Sequence, residues 1–113
     1  MSDSTVISNT RLAKQFHALS NQNRLLIMQW LVDPTAHFEP QVDGDLVEDG
    51  VCVGRIVDKI ELSQPTVTSH MKILADVGLV SAKKIKNWVF YKPEPAALRQ
   101  LQVGVTALDG KLK

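Results

Sequence analysis

LSQPTVTSHMKIL, residues 62–74, reads as a helix whose start is written into it. Ser63 offers a side-chain oxygen to the free N–H groups of a first turn, and Pro65 falls within that turn, where its missing N–H costs nothing. Val67, Met71, Leu74 and Val77 recur at helical spacing, and Gly78 then supplies a left-handed stop. That apolar stripe leaves Gln64, Thr66, Thr68, Ser69 and Lys72 on the outer side. These are short hydrogen-bonding side chains with one cation, the kind that can approach base edges and phosphate.

Immediately upstream, Val51, Val53, Ile56, Val57 and Ile60 form the apolar face of a preceding helix, which breaks at Glu61-Leu62-Ser63. Two helices joined by so short a turn, the second with a polar outer face, make a helix-turn-helix. The first helix braces the second, and the second offers its N-terminal residues to the major groove. An ordinary solvated helix has a similar composition, so the segment that follows matters. After Gly78 the period changes to two: Val80 to Ile85 and Trp88 to Lys92 read as strands joined at Lys86-Asn87, with Pro93 and Pro95 ending the second. Lys83, Lys84, Lys86 and Lys92 crowd this hairpin beside Asn87 and Trp88. A basic hairpin directly after a helix-turn-helix is expected to be a wing that straddles the phosphate backbone. Lys72, Lys83, Lys84, Lys86 and Asn87 are thus candidate phosphate contacts, and Gln64, Thr66, Thr68 and Ser69 candidate base contacts.

Further out, Leu12, Ala13, Phe16 and Leu19 mark a first short helix that ends at Ser20-Asn21. Asn21 caps a second, carrying Leu25, Leu26, Met28, Trp30, Leu31 and Val32, which ends at Asp33-Pro34. Residues 96–108 place Ala97, Leu98, Leu101, Val105 and Leu108 on one helical stripe. With nothing left to cover on its own domain, that stripe is expected to form a homodimer surface with the first helix. Leu12, Phe16, Leu98, Leu101, Val105 and Leu108 are its candidate residues. Residues 33–50 hold two prolines, two glycines and six carboxylates without a Lys or Arg. At 18 residues this acidic loop is long, since most connections in compact domains are about 4–6 residues.

The 113 residues imply one domain, mainly α with a small β-hairpin: a dimeric winged helix-turn-helix. The net charge of +1 hides an asymmetry. Residues 1–54 carry three Lys or Arg against seven carboxylates, and residues 55–113 carry ten against five. Positive charge is concentrated in the half that would meet nucleic acid. Cys52 stands alone, which fits a reducing compartment, and no apolar run approaches the roughly 18 residues of a membrane span. The reading is cytoplasmic, with double-stranded DNA as partner, no membrane, no cofactor and no metal.

The run from Leu62 to Leu74, the following Gly78-Leu79-Val80 and the basic wing to Tyr91 resemble the ArsR/SmtB repressors, as does Leu19-Ser20-Asn21-Gln22-Asn23-Arg24-Leu25. The resemblance covers roughly Leu12 to Leu108. It implies a homodimer built from the first and last helices, an inverted-repeat operator, and repression relieved by an effector, here unknown. The chain departs from the metal sensors of that family. Where arsenic and cadmium sensors carry Cys-x-Cys, it has Cys52 and Gly54, and residues 94–113 lack the histidine of the zinc sensors.

Cys52 keeps two readings: a buried small hydrophobe, or a redox sensor at the entrance of the bracing helix. His70 reads as a packing or phosphate-contacting residue, His17 as a core or interface residue, and His37 has acidic neighbours but no recognised metal-loop spacing. A winged-helix protein-interaction module without DNA readout is the competing class. An enzyme is not expected, because no oxyanion-hole motif, nucleophile elbow or paired acid and base is present.

Overall fold

Side-chain caps set most helix boundaries in the computed structural model, which describes residues 8–112. Ser8 Oγ accepts from the Arg11 N–H and opens α1, Asn9–Leu19. Asn21 Oδ1 accepts from both Asn23 and Arg24, at 2.9 and 3.1 Å, and opens α2, Gln22–Leu31. Pro34 starts a single turn, α3, Pro34–His37, at the head of the acidic segment. Strand β1, Val51–Cys52, leads directly into α4, Val53–Ile60. Glu61 then takes a left-handed conformation (φ 59°) at the end of α4. Ser63 caps α5, Gln64–Asp76, by accepting from the Thr66 N–H. Gly78 (φ 76°) turns the chain into β2, Val80–Ile85. Strand β3, Trp88–Pro93, returns to α6, Pro95–Asp109, which ends in a 3-10 turn, Gly110–Leu112.

The sheet is three-stranded and antiparallel, in the order β1-β3-β2. Val51, expected on the bracing helix, instead pairs with Tyr91, and Cys52 pairs with Phe90. Gly50 makes this pairing possible. Its φ is 102°, and a Cβ there would lie 2.4 Å from the Tyr91 carbonyl oxygen. The other edge of β1 is covered by one side chain. Gln41 donates to the Gly50 carbonyl at 3.1 Å and accepts from the Cys52 N–H at 2.7 Å, reproducing what a neighbouring strand would supply.

Ile27, Leu31, Ile56, Val67, Met71, Leu74 and Leu79 are fully or almost fully buried and join α2, α4 and α5 into one core. The acidic segment is an ordered lobe on this core. Phe38 and Leu46 are buried, Phe38 meets Trp30 edge-on at 6.1 Å between centroids, and the Lys59 ammonium lies 5.1 Å from the Trp30 ring. Arg55 fixes the lobe by donating to the Glu39 and Pro40 carbonyls. These side-chain hydrogen bonds satisfy backbone groups of an 18-residue excursion that buries few apolar side chains.

Two helices depart from the periodicity reading. In α1 the face toward the core is Gln15 and Ala18, with Leu12 and Leu19 half-buried and Ala13 and Phe16 exposed. Gln15 is 0% exposed and donates to the Val77 carbonyl at the end of α5, so a polar residue holds the apolar stripe's place. In α6 the expected stripe is continuous, but its first half is used within the protomer. Ala97 and Leu101 are buried, Leu98 packs against the core, and Gly104 lets Leu12 approach so closely that a Cβ would lie 2.7 Å from Leu12 Cδ2. The expectation that the whole stripe is unpartnered is therefore corrected: only Val105 and Leu108 run past the domain, at 50% and 69% exposure.

Candidate nucleic-acid interface

The inner face of α5 is fully packed. Val67, Met71 and Leu74 are 0% exposed on its inner face, and α4 and α2 pack against it. On the outer face, Gln64, Pro65, Thr68, Ser69 and Lys72 line one shallow depression. Thr66 is exposed but lies elsewhere. Its Oγ1 is 2.8 Å from Ser63 Oγ, which makes it part of the cap. Three of the four candidate base contacts thus share a face with the phosphate candidate Lys72, and Thr66 sits off it. Lys72 also pairs with Asp76 one turn on, at 3.0 Å.

A buried arginine locks the helix from behind. Arg24 of α2, 9% exposed, donates through Nε to the Ala18 carbonyl, and its Nη1 lies 3.1 Å from His70 Nδ1 on α5. Arginine is always charged and donor-only, so His70 Nδ1 must accept. Burial, and then the Arg24 charge, hold the His70 pKa below the usual imidazole value of 6.5. Sequence reading left His70 as a packing or phosphate-contacting residue and missed this partner. Only the crossing of α2 over α5 brings together groups 46 positions apart.

The wing lysines are sorted by the pleat. In the β2–β3 register Lys83 lies opposite Phe90, Ser81 opposite Lys92 and Lys84 opposite Val89. Side chains alternate along a strand, so Lys83, Lys92 and Phe90 share one face and Lys84 takes the other. The acidic lobe covers the Phe90 face. A Cβ on Gly44 would lie 2.9 Å from the Phe90 ring, and Phe90 is 1% exposed. There Lys83 binds the Asp49 carboxylate and Lys92 donates to the Glu48 carbonyl at 3.0 Å. At the turn, Lys86 (φ 56°) reaches Asp43 at 2.9 Å. The Lys83 hydrogen bond, reinforced by the Asp45 N–H, holds the Asp49 pKa below the usual carboxylate value. Lys84 is exposed and has no ion pair among the described residues, and Asn87 is exposed at the tip.

Cys52 is half-buried where β1 meets α4, and it lines a cavity of about 390 Å³ with Gln41, Arg55, Asp58 and Trp88. His17 and His37 are exposed. Among the described residues no three His, Cys, Asp or Glu side chains gather as metal ligands would, and no helix is long and apolar enough to cross a membrane.

Residues 46–82, from the acidic lobe through the helix-turn-helix to the first wing strand, match the profile of the bacterial regulatory protein, arsR family. The chain is 41% identical over 86 residues to YbzH, an HTH-type transcriptional regulator of Bacillus subtilis, covering 76% of this chain and 86% of YbzH. Two solved structures share the fold. One is the homodimeric winged helix-turn-helix DNA-binding domain of a possible ArsR-family regulator from Mycobacterium bovis (TM-score 0.62, 20% identity, 91% of this chain and 82% of that one). The other is the transcriptional repressor BigR from Xylella fastidiosa (TM-score 0.59, 22% identity, 88% of this chain and 86% of that one). With a helix-turn-helix whose second helix has a buried inner face and a polar outer one, matched by both the profile and YbzH, the chain belongs to the ArsR family of DNA-binding transcriptional regulators.

Proposed function

We propose that the protein is a homodimeric repressor that binds an inverted-repeat operator and is released from it by an effector. The observation that carries this reading is the face of Gln64, Thr68, Ser69 and Lys72 on a helix whose opposite side is immobilised in the core. A helix held that way presents its side chains at fixed positions, which base readout in the major groove requires. Lys84, exposed on the wing and without an ion pair among the described residues, supplies a phosphate contact alongside it.

Dimerisation is supported by the overhang of α6. Val105 and Leu108 continue a stripe whose first half is buried, and Phe16 of α1 is 39% exposed. A second copy that covers these residues would set two recognition helices on a two-fold axis, which matches a palindromic site. The homodimeric and repressor descriptions of the two structural neighbours agree with this reading. The protein would act in the cytoplasm by binding and not by catalysis.

The test is footprinting of the purified protein on the DNA upstream of its own gene, with and without a panel of metals and oxidants. Protection of two half-sites about 10–10.5 base pairs apart, centre to centre, or a multiple of that, is expected. Absence of binding to any duplex at low salt would favour the interaction-module reading instead.

A further inference from the structure

We infer that the acidic lobe competes with DNA for the wing: Asp43 and Asp49 occupy Lys86 and Lys83 as intramolecular stand-ins for phosphate, leaving Lys84 as the wing's uncommitted cation. The inference rests on the proposed DNA-binding function. Two of the wing's lysines are neutralised by carboxylates, and a third is held by a carbonyl of the same lobe.

The register places Lys83 and Lys92 on the face that the lobe covers, and Lys86 follows at the turn. The pleat puts Lys83 and Phe90 on one face. Phe90 needs a cover, and the lobe provides it through Gly44 while delivering Asp43 and Asp49 on either side. The lobe is itself anchored at Gln41 and Arg55, so its carboxylates are presented by a fixed backbone. Asp45 caps the local turn by accepting from Val47 and Glu48, and Asp45's own N–H donates to Asp49, so Asp49 is aimed at the wing.

Exposed ion pairs are individually weak, so a phosphate backbone can displace these carboxylates, but each displacement subtracts from the affinity that a free lysine would give. The lobe thereby weakens sequence-independent binding, which depends on cations. Base readout by α5 keeps its strength, so the lobe lowers affinity for operator and bulk DNA alike and leaves the ranking of sequences to α5.

The charge-only double variant D43N/D49N tests this, because asparagine preserves the shape that covers Phe90 and can still accept hydrogen bonds. Binding is measured by fluorescence anisotropy on an upstream duplex and a scrambled one across salt concentrations. D43N/D49N is expected to bind both about three- to tenfold tighter, with a log–log salt slope steeper by about 2, as two further lysines release counterions. In the wild type, Lys84→Gln should weaken binding more than Lys83→Gln or Lys86→Gln. In D43N/D49N the three should cost about the same. Unchanged or weaker binding by D43N/D49N with wild-type thermal unfolding would overturn the inference. Should that variant unfold, equal losses from all three lysine substitutions in the wild type would overturn it as well. Duplex binding by D43N/D49N alone would support it in its strongest form. Binding by neither protein would overturn the DNA-binding reading, and this inference with it.

Discussion

Arg24 Nη1 sits 3.1 Å from His70 Nδ1, so the charge that locks the recognition helix meets a group that titrates. Neutral His70 accepts that hydrogen bond; protonated His70 has no acceptor to offer and would repel a guanidinium already committed to the Ala18 carbonyl. Because the folded-state pKa lies below 6.5, the unfolded chain binds the proton more readily. Stability from this contact is therefore complete above about pH 6.5 and is lost as pH falls through the lower folded-state value. Chemical unfolding of the wild type and His70→Gln between pH 8 and 5 checks this. The wild type should lose more stability than the variant on acidification, and parallel curves would show that the contact is not pH-linked.

Thr68 and Ser69 face outward on α5, whereas Thr66 is tied to Ser63. Thr68→Ala or Ser69→Ala is expected to change the ranking of operator variants by roughly 1–3 kcal/mol at one base position. Thr66→Ala should instead lower stability through the weakened cap and leave the ranking alone. Binding selections on a randomised half-site, alongside thermal unfolding, separate the two effects.

The contrast between Thr66 and Thr68 shows where sequence reading stops. Caps at Asn21 and Ser63, the stop at Gly78 and the hairpin from Val80 were legible, because each depends on residues within a few positions. Val51 was assigned to a helix because the short run Val51-Cys52-Val53 fits either period, and its partner Tyr91 lies 40 positions away. Gln15 broke the apolar stripe of α1 for a similar reason. Its compensating acceptor, the Val77 carbonyl, belongs to a distant turn. The wing lysines were legible as a basic cluster, but their division between two faces needed the register, and their pairing needed the path of the acidic lobe.

Gly50 is the hinge on which that path depends. A Cβ at this position would collide with the Tyr91 backbone, and the φ of 102° is strained for any other residue. Gly50→Ala should destabilise the fold by about 2 kcal/mol or more, the range for a side chain forced into a special backbone position. Hydrogen exchange should show the loss at Val51, Cys52 and Phe90, with α5 protected until global unfolding. Uniform loss of protection would mean that β1 pairing and the core unfold as one unit.

The two halves of the α6 stripe make opposite predictions. Leu101 is 8% exposed within the protomer, so Leu101→Glu places a charge in the core and should unfold the domain whatever its oligomeric state. That substitution cannot report on dimerisation. Leu108 is 69% exposed and Val105 50%, so a glutamate at either position costs the isolated protomer little. If a second copy covers them, however, burying a carboxylate at the contact is prohibitive. Sedimentation of Leu108→Glu at micromolar concentration should give a monomer that keeps the wild-type helical signal. It should bind a single half-site weakly and lose the tight, full-operator complex. A dimeric Leu108→Glu and a dimeric Val105→Glu together would move the interface off the end of α6.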